Sequence, residues 1–100
     1  MIRSFRGVTP RIGENSYIDE SAVVIGDVEM GDNCSVWPMT VIRADINKIR
    51  IGNNTNIQDG SVLHVTHRGP FSPEGAELHI GDHVTVGHKG LLHGCRIGNQ

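Results

Sequence analysis

Aliphatic side chains return every six residues along this chain, at Ile12, Ile18, Val24, Met30, Val36 and Ile42. The register slips by three residues and resumes at Ile51, Ile57 and Leu63. After a longer insertion it resumes at Ile80, Val86 and Leu92, with Ile97 one residue early. Four positions after the aliphatic residue the side chain is usually small or β-branched, as at Ser16, Ala22, Val28, Cys34, Thr40, Thr55, Ser61 and Val84. Glycine follows the aliphatic residue at Gly13, Gly31, Gly52, Gly81, Gly87 and Gly98.

A period of six is neither the 3.6 of a helix nor the two of a free-standing strand. It fits a short strand and a turn, repeated. Three such units close a triangular coil of about 18 residues with the aliphatic side chain pointing inward. Stacked coils then pair in parallel about 4.8 Å apart, and small residues at the fifth position let the chain bend at each corner without filling the interior. An ordinary β-sandwich would have to reach the same spacing by chance over residues 12–97. The two interruptions read as a small corner bulge at residues 48–50 and an excursion loop at 68–77, with Pro70, Pro73 and Gly75. Residues 97–100 open a new repeat and stop, which leaves a parallel edge to be covered. The expectation is a longer natural protein with further coils and a terminal helix, or a second chain over that edge.

Composition agrees with a narrow interior. One hundred residues bound the fold to one small domain. Aromatics are 4% of the chain, too few to fill a globular core, while 13 glycines are about twice the usual share of roughly 7%. A net charge of −2 offers no basic surface to nucleic acid or anionic lipid. No run approaches the roughly 18 apolar residues of a membrane span, and residues 1–7 lack the apolar run of a signal peptide. Cys34 and Cys95 have no CxxC spacing, so reduced thiols in a cytoplasmic protein are the simplest reading.

Stacking turns the repeat into a map of the histidines. With Ile12 on face a, face b carries Ile18, Val36, Ile57 and Val86, and face c carries Val24, Ile42, Leu63 and Leu92. The position after each face-c residue forms a column of Ile25, Arg43, His64 and His93. His64 and His93 therefore sit on adjacent rungs, close enough for both rings to reach one metal at about 2.0–2.1 Å. His88 lies on face b, over Asp59 of the coil below, and points off a different face. A three-histidine site forms if a neighbouring subunit brings its His88 to this chain's His64 and His93, and a cyclic trimer repeats that site at every interface. The plainer reading is of solvated surface histidines bonded to the next rung. His67 falls on an inward fifth position and reads as a packed or corner residue. His79 and His83, at a loop exit and a turn, read as surface.

Arg43-Ala44-Asp45, Asn56-Ile57-Gln58-Asp59-Gly60, His64, Gly87-His88 and Leu92-His93-Gly94, in order and on the hexapeptide register, resemble the γ-class carbonic anhydrase family. The bare repeat is similar to that of left-handed β-helix proteins, and the handedness is implied by that likeness alone. The resemblance implies an all-β, left-handed parallel β-helix over residues 1–100 that assembles as a homotrimer with metal at the subunit interfaces. It implies zinc, or iron or cobalt, held by His64 and His93 of one subunit and His88 of the next. Arg43, Asp45 and Asp59 match charged residues that help hold subunits together, and Gln58 matches a polar residue beside the metal-bound solvent. The implied reaction is reversible hydration of CO2 to bicarbonate by a metal-bound hydroxide. Gln58 would orient the hydroxide, and Asp59 would fix it or pair with Arg43. Purely structural ion pairing is the other role open to Arg43 and the two aspartates. Ile46 stands where the best-known active members carry a proton-transferring Glu, and only Glu74 and Glu77 lie in the excursion loop. Two further functions fit the repeat. One is a non-catalytic metal-binding or assembly scaffold, favoured by Ile46. The other is a hexapeptide-repeat acyltransferase, which needs one general base and a CoA groove but gives no reason for two stacked histidines.

Overall fold

Short strands separated by turns are what a six-residue period can build, and the chain contains little else. The computed structural model describes residues 1–65, 77–93 and 96–98, the side chains of His93 and Arg96 excepted. In order the strands are β1 (Ile2–Arg3), β2 (Arg11–Ile12), β3 (Tyr17–Ile18), β4 (Val23–Met30), β5 (Ser35–Val36) and β6 (Val41–Ile51). They continue with β7 (Asn56–Ile57), β8 (Val62–His64), β9 (Leu78–Ile80), β10 (Thr85–Val86), β11 (Leu91–His93) and β12 (Arg96–Ile97). Every pairing between strands is parallel. The result is the all-β, left-handed parallel β-helix.

The three expected columns are all present. Ile12, Met30, Ile51, Ile80 and Ile97 stack on face a. Ile18, Val36, Ile57 and Val86 stack on face b. Val24, Ile42, Leu63 and Leu92 stack on face c. The middle members are buried in one continuous core, while Ile12, Ile18, Leu92 and Ile97 at the two ends are partly buried. Each inward aliphatic residue is thus sandwiched between identical positions above and below, which keeps apolar surface from water in a coil too narrow for aromatics.

Corners explain the small residues and the sharp turns together. At the corner between faces a and b, Thr55 Oγ1 donates to the Gly81 carbonyl at 2.8 Å and Cys34 Sγ to the Gly52 carbonyl at 3.0 Å. At the corner between faces b and c, Thr40 Oγ1 donates to the Gln58 carbonyl at 3.1 Å and Ser61 Oγ to the Gly87 carbonyl at 2.8 Å. These buried hydroxyls and the Cys34 thiol give the turn carbonyls a side-chain partner. The chain reverses through left-handed residues: Asn15, Asn33, Asn54 and His83 at the first corner, Met39, Gly60 and Lys89 at the second. Asparagine tolerates that region better than most residues, hence its recurrence.

At the third corner Val28 stands where the repeat predicts it, but Ile49 and Leu78 above it were not expected there. Val28, Ile49 and Leu78 fill it, each fully buried, so the corner between faces c and a is packed with large side chains. This relocates the small bulge. It lies at residues 45–48, opposite Asp27, because Gly26 pairs with Ala44 and Val28 with Ile49. Arg50, expected within the bulge, pairs in register with Glu29. Counting six forward from Ile42 puts the surplus too late, since Ile49 has already taken the inward corner position. Residues 68–76 of the expected excursion loop, with Pro70, Pro73, Glu74 and Gly75, lie outside the described residues, as do His67 and Cys95.

Candidate metal centre

The face-c strands β6, β8 and β11 bring the histidines into line. Their register pairs Ile25 with Arg43, Arg43 with His64, and His64 with His93. Backbones of paired strands lie about 4.8 Å apart, so residues 64 and 93 are rung neighbours, and His64 stands on the outer side of face c. His64 is half-buried. Alternation along each strand puts Val41, Val62 and Leu91 on that same outer side, again in one column continued by Val23. Leu91 is 64% exposed. The half-site is therefore flanked by an apolar row that the single chain leaves open.

His88 sits at the turn between faces b and c, in the rung next to Asp59, where the Lys89 N–H donates to the Asp59 carbonyl at 2.8 Å. Its Nδ1 is 3.6 Å from Asp59 Oδ1, and the ring is 69% exposed. Among the described residues no group of three or more His, Cys, Asp or Glu side chains gathers around one point. Histidine is a residue type that ligates zinc, and two of the three lie on strands paired in register, the third 3.6 Å from a carboxylate.

The charged residues of the same region find partners within the chain. Arg43 Nε lies 3.4 Å from Asp45 Oδ2. Gln58 is half-buried on the outer side of face b, two residues from the exposed Asn56. Ile46 is 42% exposed at the bulge. Glu77 is engaged with face a: its Oε2 is 2.6 Å from His79 Nε2 and its Oε1 is 3.7 Å from Lys48 Nζ. That hydrogen bond from His79, helped by the Lys48 charge, lowers the Glu77 carboxyl below its usual range. His79 belongs to β9 and is half-buried against Glu77, so it is less free than a loop-exit histidine. His83 is exposed, at a left-handed turn position. Two open grooves, of about 290 and 320 Å³, lie by the bulge and over face a, and neither is lined by His64 or His88. The bulge groove, between Phe5, Val8 and residues 44–48, is a feature that sequence reasoning missed.

Comparison with known proteins places this geometry. The family description "Bacterial transferase hexapeptide (six repeats)" matches residues 9–44. A protein named YrdA from Escherichia coli K12 is 53% identical over 100 residues, covering all of this chain and 54% of its own length. A "Probable carbonic anhydrase" from Methanocaldococcus jannaschii is 46% identical over 86 residues, covering 86% of this chain and 50% of its own. A crystal structure of a hexapeptide transferase family protein from Anaplasma phagocytophilum superposes with a TM-score of 0.84 at 38% identity, over 96% of this chain and 52% of that one. The chain carries the hexapeptide repeat and is similar to proteins named as γ carbonic anhydrases, among them "Gamma carbonic anhydrase 1, mitochondrial" of Arabidopsis thaliana, 40% identical over 91% of this chain and 33% of its own. It spans about half the length of the curated relatives it matches. Among its described residues no helix is long and apolar enough to cross a membrane.

Proposed function

We propose that this chain forms γ-carbonic-anhydrase-like metal sites between its copies and that such a site hydrates CO2 reversibly to bicarbonate. The observation that carries the reading is the register pairing of His64 with His93, while His88 leaves the coil elsewhere, exposed and 3.6 Å from Asp59. Two histidines from one copy and one from the next make a neutral three-nitrogen set suited to zinc, with iron or cobalt as alternatives. The open row of Val23, Val41, Val62 and Leu91 beside the half-site suits burial against that neighbour, and a closed trimer repeats the contact three-fold.

His64, His88 and His93 would hold the ion, whose Lewis acidity lowers the pKa of water towards about 7. The remaining chemistry belongs to the chain. The Gln58 amide, half-buried on face b, donates or accepts a hydrogen bond to orient the attacking oxygen. Asp59 fixes the His88 ring through Nδ1. Arg43 and Asp45, already paired within the chain, stiffen the edge against which the neighbour packs.

A second reading, a metal-binding scaffold without turnover, is favoured by the exposed Ile46 and by the engagement of Glu77 with His79 and Lys48. Neither offers a proton acceptor to the histidine column. Metal analysis and stopped-flow CO2 hydration on the same preparation separate the readings. The expected result is close to one metal per chain and a rate above buffer. Metal with no rate leaves the scaffold, and no metal sinks both. His88→Ala should lose the metal while keeping the wild-type far-ultraviolet spectrum, because its exposed ring contributes little to the core.

A further inference from the structure

The corner between faces b and c carries large apolar side chains that the coil itself leaves in water. Trp37 precedes it on the outer side of face b and is 40% exposed, and Met39, within the turn, is 70% exposed. Val41 follows at the start of β6, in one column with Val23, Val62 and Leu91. Trp37 is the chain's single tryptophan, and it is held at two points. Its ring lies 5.2 Å from that of Tyr17 at a tilt of 46°, and its Nε1 donates to Ser35 Oγ at 3.0 Å. Met39 is at odds with its own backbone. Its φ is 62°, in the left-handed region that Asn15, Asn33 and Asn54 occupy at the corner between faces a and b. A β-carbon is crowded there, and asparagine tolerates it better than most residues. The single chain thus carries a strained and exposed methionine where asparagine would serve its fold better.

A shared metal site sets which levels of two coils meet. His88 and His93 belong to the same coil, so a neighbour whose His88 reaches this chain's His93 stands level with it, side by side. Trp37, Gln58 and Gly87 form one column, because the Trp37 N–H donates to the Ile57 carbonyl and the Gln58 N–H to the Val86 carbonyl, both at 3.0 Å. His88 directly follows Gly87, so a neighbour that presents His88 presents this column with it. Trp37 is two rungs from Gly87 in that column, as Val41 is from Leu91 in its own. A neighbour standing level therefore sets its Trp37 and Met39 at the height of this chain's Val41.

We propose that Trp37 and Met39 of one copy pack on Val23, Val41 and Val62 of the next, so that the two sides of this corner are the two halves of a contact between copies of the chain. This rests on the reading of the metal site given above, which sets the level of the two coils. The two patches differ, so the contact runs head to tail, and a rotation that closes makes it a ring. Tryptophan and methionine are enriched at the centres of such contacts. An indole already fixed by Tyr17 and Ser35 loses little freedom on docking, and the contact offsets the strain that Met39 imposes on the single chain.

The lone indole reports its own burial. On dilution through the range in which light scattering loses mass, tryptophan emission should shift to the red and become more open to acrylamide quenching. Met39→Asn separates contact from fold because its two effects have opposite signs. Among dissociated chains it should melt higher than wild type, yet it should need about tenfold more protein to reach the same mass, the loss of one well-packed side chain. Trp37→Cys and Val41→Cys, mixed as separate variants and oxidised, should give cross-linked dimers that neither gives alone. An emission maximum independent of mass, a Met39→Asn variant that assembles like wild type, or a mixture without cross-links would each overturn the proposal. So would a wild-type chain that stays monomeric, which leaves the patch to a different partner. Metal analysis of the same samples keeps the two readings apart. Cross-links in protein that binds no metal uphold the contact and sink the metal site, whereas metal at one per chain without cross-links sinks the contact alone.

Discussion

Gly52 is a glycine because the coil below leaves no room for anything else. A Cβ there would lie 2.2 Å from Asp82 Oδ1 and 2.8 Å from the Gly81 carbonyl carbon and oxygen. Asp82 is held in place because its carboxylate accepts the Asn53 N–H at 2.7 Å. The same contact recurs up the corner, where Asn53 Oδ1 accepts from the Asp32 N–H and Asp32 Oδ1 from the Glu14 N–H, both at 2.8 Å. Each Gly-Asx pair therefore does two things: the glycine admits the next coil and the Asx side chain caps the coil before it. Asp82 could swing aside from an added methyl, but the Gly81 backbone could not. Gly52→Ala should cost about 1–3 kcal/mol, as overpacking of a close contact does. It should lower the urea midpoint without changing the slope. A midpoint equal to wild type would show that the coil spacing is soft. The glycines after the aliphatic residues were plain in the sequence. Their acidic or amide partners were not recognised, because each partner acts on the preceding coil, 18 to 29 positions away.

At the scale of strands, the long β4 and β6 carry a row of alternating charge along face a. Arg11 lies 3.1 Å from both Asp27 and Glu29, and Arg50 reaches Asp27 at 3.1 Å and Glu29 at 3.6 Å. Partial burial acts to raise the Asp27 carboxyl, but the Arg11 hydrogen bond and the Arg50 charge and hydrogen bond prevail and hold it below the ordinary 3.8. A carboxyl lowered in the folded state stabilises above its unfolded pKa, and that contribution is lost as pH falls through the lower folded value. Asp27→Asn should therefore be less stable than wild type near neutrality. The gap in thermal midpoint should persist down to about pH 4 and close below it. A gap that stays constant to pH 2 would rule out this carboxylate as its source. The repeat itself was legible because an aliphatic residue every six positions has one geometric solution. The location of the bulge was not, since Ile49, seven residues after Ile42, fills the inward corner that Val28 reaches four residues after Val24. The histidine column was legible to the residue, because register alone places His64 beside His93. Partners such as Glu77 for His79 and Ser35 for Trp37 were not, because they depend on where side chains turn once the strands are paired.

For the whole molecule, the proposed metal site would draw on two separate parts of the coil. On face c, His64 and His93 share a register beside the open row of Val23, Val41, Val62 and Leu91. At another corner stands His88, backed by Asp59. Two imidazoles alone bind zinc weakly compared with three, so metal content and assembly should rise and fall together. Leu91→Asp separates this from a site completed within one chain. Leu91 is 64% exposed, so a carboxylate there costs the folded chain little, whereas burying it unpaired against a neighbour costs several kcal/mol. The variant should keep its coil, fall in mass by light scattering, and lose bound metal although every candidate ligand is intact. His88→Ala should lose the metal with a smaller effect on mass, since the apolar row survives. If Leu91→Asp lowers the mass yet retains metal at the wild-type ratio, the three nitrogens come from one chain and the shared site is wrong. If mass and metal both stay at wild-type values, the row faces solvent and the neighbour packs elsewhere.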